Sequence, residues 1–525
     1  MLAAGAPTVD SGKRVVKTAK EKCSRRLGDR MARKQWFGVL CALAAVAAGC
    51  GRSSSTTTDA TTAAATTVAA AVATTAAPAT TAGAVTPAVT DAPAPTEAPT
   101  TTKPDPCAAA KLEATDTGIS AEKITVLVMA DVGSELAPGL FQGSIDGTKA
   151  WAKAVNANGG LACRQIEVLE WDSKINPTEG TNGYLEACSK AVAMVGSTTL
   201  FIPPEGIASL ETCPNAKGEA VGFADIPERA VDAVQQCSTH VFTLAGINGS
   251  CPYSGAGTRD YLSFVGPFKK YTEIAGGPLH GIYLIPSDLP STIASSMPTI
   301  RGLNQAGLVK SDAEFGVSGG AAQAAFAEYV AAMKTNNSNI AIDGSNDQAM
   351  IKLRTEAKAQ GLDDSKVVWA CSLACYTDAF RKDPNVDGTY LWLPFLPFEE
   401  RDQNADLDAF LTGIGSDFPQ SWSVLAWNSG RVFEQAVNAI VAVDGPNGIT
   451  RARILEELPK LTAFDNGGWL GAVDLSKKTL SSCFVMLQLK GGKYERIYPT
   501  EKGKLDCTTD NAISWSGDSA NEYKG

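Results

Sequence analysis

Ser318 sits in Gly316-Val317-Ser318-Gly319-Gly320, the G-x-S-x-G spacing of a nucleophile elbow. In that chemistry a sharp turn exposes the serine hydroxyl, and a histidine later in the chain takes its proton. The chain has two histidines, His240 and His280, and both precede Ser318. With glycine and alanine on either side, the stretch reads as a loop leading into an Ala-rich helix. Glu399 and Glu400 are adjacent carboxylates of the kind used in acid–base work, but they fall in a polar loop and read as solvated. No P-loop or dinucleotide-binding glycine pattern occurs. These residues point away from an enzyme, and no cofactor is expected.

Sulfur chemistry is richer. The chain holds 13 cysteines. Cys23 and Cys41 fall in a segment expected to be removed, and Cys50 has a separate role. The remaining ten form an even set, which in an exported chain reads as a disulfide framework. Spacing alone does not settle connectivity. Sequential pairing gives Cys107–Cys163, Cys188–Cys213, Cys237–Cys251, Cys371–Cys375 and Cys483–Cys507. Cys371 and Cys375 have a spacing that a metal could use, but neither histidine is near them in sequence, and no metal site is expected.

Cys50 ends an apolar run, Trp36 to Ala48, with basic Arg33 and Lys34 before it. A membrane-spanning helix needs about 20 residues, so this run has the proportions of a signal-peptide core instead. The small residues Ala47, Ala48 and Gly49 before Cys50 resemble a bacterial lipobox, in which the cysteine sulfur is lipidated and becomes the new N-terminus. A short buried helix ending in cysteine is the alternative, and the low-complexity tract that follows argues against it. Met31 opens an ordinary signal peptide, so residues 1–30 read as an over-extended start. The Arg25-Arg26 pair lacks the apolar residues of a twin-arginine signal, which leaves general secretion as the route.

Charge follows the same division. The chain carries −10, while its first 36 residues hold ten basic and three acidic residues, so the part from Cys50 onward carries −17. A body this acidic repels phosphate backbones, and no nucleic-acid binding is expected. Residues 51–106 are almost wholly Thr, Ala, Ser, Pro, Val and Gly with no aromatic residue. They have little to bury and read as a disordered tether spanning about 40 Å.

The elements that must position a site lie beyond Cys107. Lys123–Val132 is a β-branched apolar run that predicts a strand buried on both faces. A helical pattern through "GTKAWAKAVNANGG", a strand "RQIEVLEWDSK", a helix "GTNGYLEACSKA" and a strand "VAMVGSTT" follow. This β-α-β-α-β order implies a parallel sheet covered on both faces. The pattern restarts at Leu279–Asp288. A helix broken at Met297–Pro298 comes next, then the helix "AAQAAFAEYVAAMKTN", a strand "KVVWACS", a short helix "YTDAFRK" and a strand "GTYLWLPF". A long amphipathic helix over Ser423–Val443 and a hairpin turning at Gly491–Gly492 close the chain.

The stretch from Lys123 to Thr199, with "NANGG", "WDSKINP" and a Cys-bearing helix before "VAMVGS", resembles the opening of type I periplasmic binding proteins. It is most similar to the leucine/isoleucine/valine-binding branch that serves ABC importers. "VDGTYLWLPFLPFEE" and "AWNSGRVFEQAV" resemble that family's return to its first lobe. The resemblance implies an α/β fold with two Rossmann-like lobes, parallel sheets and a three-crossing hinge. The divisions it suggests are a leader over 1–49, a lipidated tether over 50–106, a first lobe over 107–251, a second lobe over 252–392, and a return and hinge segment over 393–525.

In amino-acid-binding members the turn matching Gly196-Ser197-Thr198-Thr199 receives the ligand carboxylate, so Ser197, Thr198 and Thr199 are candidate ligand contacts; an N-capping turn is the alternative. Asp225 stands where those members carry a hydroxyl pair, and it suits an amine or a sugar hydroxyl. A tyrosine expected after "LIPSD" is replaced by "LPST". Tyr253, Tyr376 and Trp392 are further candidates near strand ends or crossings. The implied function is a lipid-anchored, monomeric binding protein on the outer face of the cell membrane. It would capture a small polar ligand, such as an amino acid or amide, for an ABC permease. A surface sensor feeding a signalling partner is the other reading.

Overall fold

The computed structural model describes residues 107, 110–135, 137–246, 249–252, 257–478 and 481–518. The expected leader, the tether with its Cys50, and Tyr253 lie outside the described residues.

The first lobe is built on β1 (Lys123–Ala130), α1 (Gln142–Ala157), β2 (Gln165–Asp172), α2 (Pro177–Lys190), β3 (Ala193–Val195), α3 (Pro204–Thr212), β4 (Ala224–Ile226) and α4 (Ala233–Cys237). The last six residues of β1 are all buried or nearly so, as a central parallel strand requires. The strands lie in the order β2-β1-β3-β4, all parallel. Asn176 starts α2 by accepting from the Thr178 and Glu179 N–H groups, with Pro177 in the first turn.

The second lobe runs through β5 (Arg259–Phe264), α5 (Gly266–Ala275), β6 (Leu279–Pro286), α6 (Pro290–Gln305), β7 (Val309–Val317), α7 (Phe326–Asn336), β8 (Ile340–Asp343), α8 (Asp347–Ala359), β9 (Val368–Cys371), α9 (Asp378–Lys382) and β10 (Tyr390–Leu393). The chain then returns: α10 (Ala405–Ile414) and α11 (Trp422–Asp444) lie against α1, and α12 (Arg451–Glu457) follows. A last passage adds β11 (Val485–Lys490), β12 (Lys493–Tyr498) and β13 (Ala512–Gly517). The second sheet has the order β12-β11-β10-β9-β8-β6-β7. Its members β7, β6, β8, β9 and β10 are parallel, and β11 and β12 are antiparallel. The described chain beyond β10 thus serves both lobes. The two-lobed α/β architecture agrees with the expectation.

Three local features differ from what the sequence suggested. The helix expected to break at Met297–Pro298 continues as α6 through Pro298, because Met297, Ile300 and Leu303 on its inner face are buried in the core of the second lobe. The Ala-rich helix starts later than its composition implies, at Phe326, after a 3₁₀ turn over Gln323–Ala325. Strand β13 had no apolar run to announce it; it pairs with β5, and Trp515 stacks on Tyr261 at 4.7 Å between ring centroids. The hairpin turns at Gly491 and Gly492 as read, with φ of +55° and +78°, the backbone that a two-residue turn between twisted strands demands.

One cluster of buried apolar side chains extends from Val126, Trp151 and Val195 of the first lobe through Trp427 and Phe433 of α11 to Ile282, Leu353 and Leu391 of the second. The ten cysteines of the body are closed into the sequential pairs Cys107–Cys163, Cys188–Cys213, Cys237–Cys251, Cys371–Cys375 and Cys483–Cys507. Among the described residues no helix is long and apolar enough to cross a membrane.

Candidate functional site

In each sheet the chain order reverses about a central strand, between β1 and β3 in one and between β6 and β8 in the other. Ligands of open α/β sheets sit beyond the carboxyl ends of the strands at such points.

After β3 the backbone turns at Gly196, where φ is +74° and a Cβ would stand 2.1 Å from the Thr148 hydroxyl. The next three residues are all buried, and their polar groups have different fates. The Ser197 hydroxyl accepts from the Met129 N–H at 3.0 Å, so it braces β1. The Thr198 hydroxyl donates to the Ser197 carbonyl at 2.8 Å. The Thr199 hydroxyl is buried and has no partner. An N-capping turn would require a helix to open here. Instead α3 begins only at Pro204, so no helix N-terminus lies at Thr198–Thr199.

The turn does receive a carboxylate, but from the protein itself. Asp131 accepts from the Leu200 N–H at 2.7 Å, from the Ile175 N–H at 2.6 Å and from the Ser173 hydroxyl at 2.7 Å. Burial raises its carboxyl above the usual range, and these three hydrogen bonds offset only part of that rise.

Asp225 lies within β4. Because side chains alternate along a strand, it faces opposite to Ala224 and Ile226. It packs under α2, accepting from the Tyr184 hydroxyl at 3.1 Å and from Gln235 at 3.4 Å. Burial pushes it up to about 7. The residues beyond the strand end, Glu228 and Arg229, take the position that sequence reasoning gave to Asp225. Glu228 is fully buried beside Ser144 and Thr198, neither of its oxygens has a hydrogen-bond partner, and burial pushes it up to about 8. The Ser144 hydroxyl is likewise buried and without a partner. Arg229 is half-buried, its Nε fully so and unpartnered. Its guanidinium lies 5.8 Å from the centroid of the Trp422 ring. The signal in the sequence was the charged pair in "VGFADIPERAV", one turn past the end of an apolar strand.

Arg229 lines a cavity of about 20 Å³ between the lobes. Leu244 and Ala245 complete the first-lobe wall, Leu373 and Trp392 form the second, and Leu425 and Val473 belong to the returning chain. That volume holds about one water molecule. The lobes also touch directly: the Ser291 hydroxyl, in the first turn of α6, donates to the Leu200 carbonyl at 2.6 Å. Trp392 therefore lies at the cavity, packed on Phe264 at 4.9 Å between ring centroids. Tyr376 does not. It is fully buried among Phe395, Phe398, Phe418 and Tyr494, donates to Glu399 at 2.5 Å and accepts from the Phe398 N–H at 2.8 Å.

The residues with catalytic or metal-binding types are otherwise engaged. Ser318 accepts from the Gly320 N–H at 3.3 Å. His240 bonds Thr239 and the Val221 carbonyl, and His280 bonds Asp312. Asp343, Cys371 and Cys375 lie together, but the two sulfurs are bonded to each other and provide no thiolate.

Residues 280–493 match the family model described as "Periplasmic binding protein". Solved structures with the same fold include a fatty acid ABC transporter substrate-binding protein from Thermomonospora curvata. It is 14% identical with a TM-score of 0.54, covering 79% of this chain and 96% of that one. The branched-chain amino acid transporter substrate binding protein LivJ from Streptococcus pneumoniae, in complex with isoleucine, is 16% identical with a TM-score of 0.53, covering 72% and 100%. A solute binding protein of an ABC transporter from R. palustris, in complex with benzoate, is 16% identical with a TM-score of 0.52, covering 71% and 95%. No curated protein sequence matches the chain.

Proposed function

We propose that this chain, with its periplasmic-binding-protein match over residues 280–493 and the fold of the type I, leucine/isoleucine/valine-binding proteins, is an extracytoplasmic solute-binding lipoprotein. It captures a small ligand in the cleft between its lobes and delivers it to an ABC permease. Cys50 carries the lipid that holds it on the outer face of the membrane, and it acts as a monomer.

The observation that carries this reading is the set of polar atoms left without partners past the ends of β3 and β4. Thr199 Oγ1, both Glu228 oxygens and Arg229 Nε are all buried and unsatisfied. Leaving such atoms buried and unpaired costs about 1–3 kcal/mol each, a cost that a binding site recovers when the ligand arrives. Capture needs no covalent step; hinge motion of the lobes suffices.

A thermal-shift screen of the full-length chain against amino acids, amides, carboxylates and sugars tests the binding role. At a hundredfold excess over Kd, a site-specific ligand adds about 2.7 kcal/mol of stability. A shift confined to one chemical class supports the reading, and a flat result across all of them counts against it. For the anchor, Cys50→Ala is expected to move the chain from the membrane fraction to the medium. Retention in the membrane would reject lipidation at that residue.

A further inference from the structure

Arg229 is the one charged residue on the wall of the interlobe cavity, and the wall around it is apolar, with Leu244, Ala245, Leu373, Trp392 and Leu425, apart from the Ser481 hydroxyl. A guanidinium offers five N–H donors in a planar fork. Among the described residues no hydrogen bond or ion pair engages the guanidinium, its Nε is buried without a partner, and the Trp422 ring centroid lies 5.8 Å from it. Its neighbour Glu228 forms no ion pair with it; the two charges attract, but burial pushes that carboxyl up to about 8, which weakens it as a counter-charge at neutral pH.

This arrangement selects a ligand. The fork matches a carboxylate, with two parallel N–H···O bonds. Largely apolar walls suit an apolar remainder, and the one hydroxyl among them, Ser481, already accepts from the Cys483 N–H, so a second polar group gains little there. An ammonium group would find no carboxylate on these walls. A phosphate or sulfate dianion would lose a large hydration shell to a single guanidinium. We propose that the cleft takes a small monocarboxylate with an apolar body and no ammonium group, gripped through its carboxylate by Arg229. The proposal rests on the solute-binding reading above and narrows its ligand. Because the cavity holds about one water molecule with the lobes in contact, such a ligand enters when they part.

The test is calorimetric titration of the full-length chain with benzoate and 3-methylbutanoate, their neutral amides, and phenylalanine and leucine. Wild type is compared with Arg229→Gln and Arg229→Lys. The expected result is saturable binding of the two carboxylates and at least tenfold weaker binding of the amides and amino acids. Arg229→Gln should lose at least a hundredfold in carboxylate affinity, and Arg229→Lys should lose less. Since the guanidinium makes no hydrogen bond among the described residues, the unliganded Gln variant should melt no lower than wild type. If it fails to fold, the acid-against-amide comparison on wild type still decides. Tighter binding of amino acids or amides overturns the monocarboxylate assignment while leaving a solute-binding function standing. Carboxylate binding that is indifferent to Arg229→Gln overturns the role of that residue. Silence from every compound overturns the assignment and removes support from solute binding as well.

Discussion

Among the described residues, Asp225, Asp343 and Glu228 are carboxyl groups buried without an ion-pair partner, and burial pushes them far above their usual range, Asp225 and Asp343 to about 7 and Glu228 to about 8. The sign of their effect on stability is the reverse of a salt-bridged acid. When the folded pKa lies above the unfolded one, the unfolded chain releases its proton first as pH rises. Stability from that group then falls between the unfolded pKa near 4 and the folded pKa. For Asp225 the window is about pH 4 to 7, and one pKa unit is worth about 1.4 kcal/mol. Asp225→Asn keeps an oxygen for the Tyr184 hydroxyl and has no proton to lose. The difference in unfolding free energy between the variant and wild type, followed by denaturant titration, should therefore move in favour of the variant from pH 4 to pH 7 by up to about 4 kcal/mol. A difference that stays flat across that window would show that Asp225 titrates as an ordinary carboxyl. The same residue marks how much of the site was legible. The turn after β3 and the acidic character of the segment after it were readable from residue types. That Asp225 points under α2 while Glu228 and Arg229 stand past the strand end was not, because residue types do not fix where a three-residue strand stops, and a shift of one residue along a strand exchanges its two faces.

At the scale of elements, the first lobe depends on how closely α11 lies on α1. A Cβ on Gly147 would stand 2.3 Å from the Ser423 carbonyl oxygen, and one on Gly430 would stand 2.2 Å from the fully buried Trp151 ring. Alanine at either position raises helix propensity by about 1 kcal/mol but forces two packed helices apart, which costs typically about 1–3 kcal/mol or more. Gly147→Ala is expected to be destabilising, because its obstacle is backbone that has no rotamer to change. Gly413→Ala in α10, where the nearest atom is an ordinary 3.4 Å away, is expected to be stabilising by up to about 1 kcal/mol. Equilibrium unfolding of the two variants side by side checks the contrast; a destabilised Gly413→Ala or a stabilised Gly147→Ala would contradict it. Long periodic elements such as α11 and runs such as β1 were legible because their pattern repeats over many residues. Pro298 misled because a local breaker was outweighed by the buried face of Met297, Ile300 and Leu303. Strand β13 was invisible because Ala512–Gly517 is half-exposed, and its partner β5 lies some 250 residues away in the chain.

Among the described residues, side-chain hydrogen bonds hold the lobes together near the cavity. Ser291 at the start of α6 reaches the Leu200 carbonyl of the first lobe at 2.6 Å, and Ser421 at the foot of α11 reaches the Leu373 carbonyl of the second at 3.0 Å. Ser291 bonds the residue after Thr199, so on the proposed solute-binding reading it would couple closure to the turn proposed to meet the ligand. A hydrogen bond of this kind contributes about 0.5–1.5 kcal/mol, enough to change the open-to-closed ratio up to about tenfold. If the lobes alternate between parted and touching states, Ser291→Ala should raise the parted fraction without altering the cavity wall, since Ser291 is not part of that wall. Apparent affinity for whatever ligand is found should then fall up to about tenfold, by the fraction of molecules no longer closed. The unliganded radius of gyration from small-angle scattering should rise, and saturating ligand should bring it back to the wild-type value. An affinity loss with no change in radius would place Ser291 among the ligand contacts rather than at the closure. No change in either quantity would mean that the shared apolar core between the lobes, and not this hydrogen bond, sets the closed state.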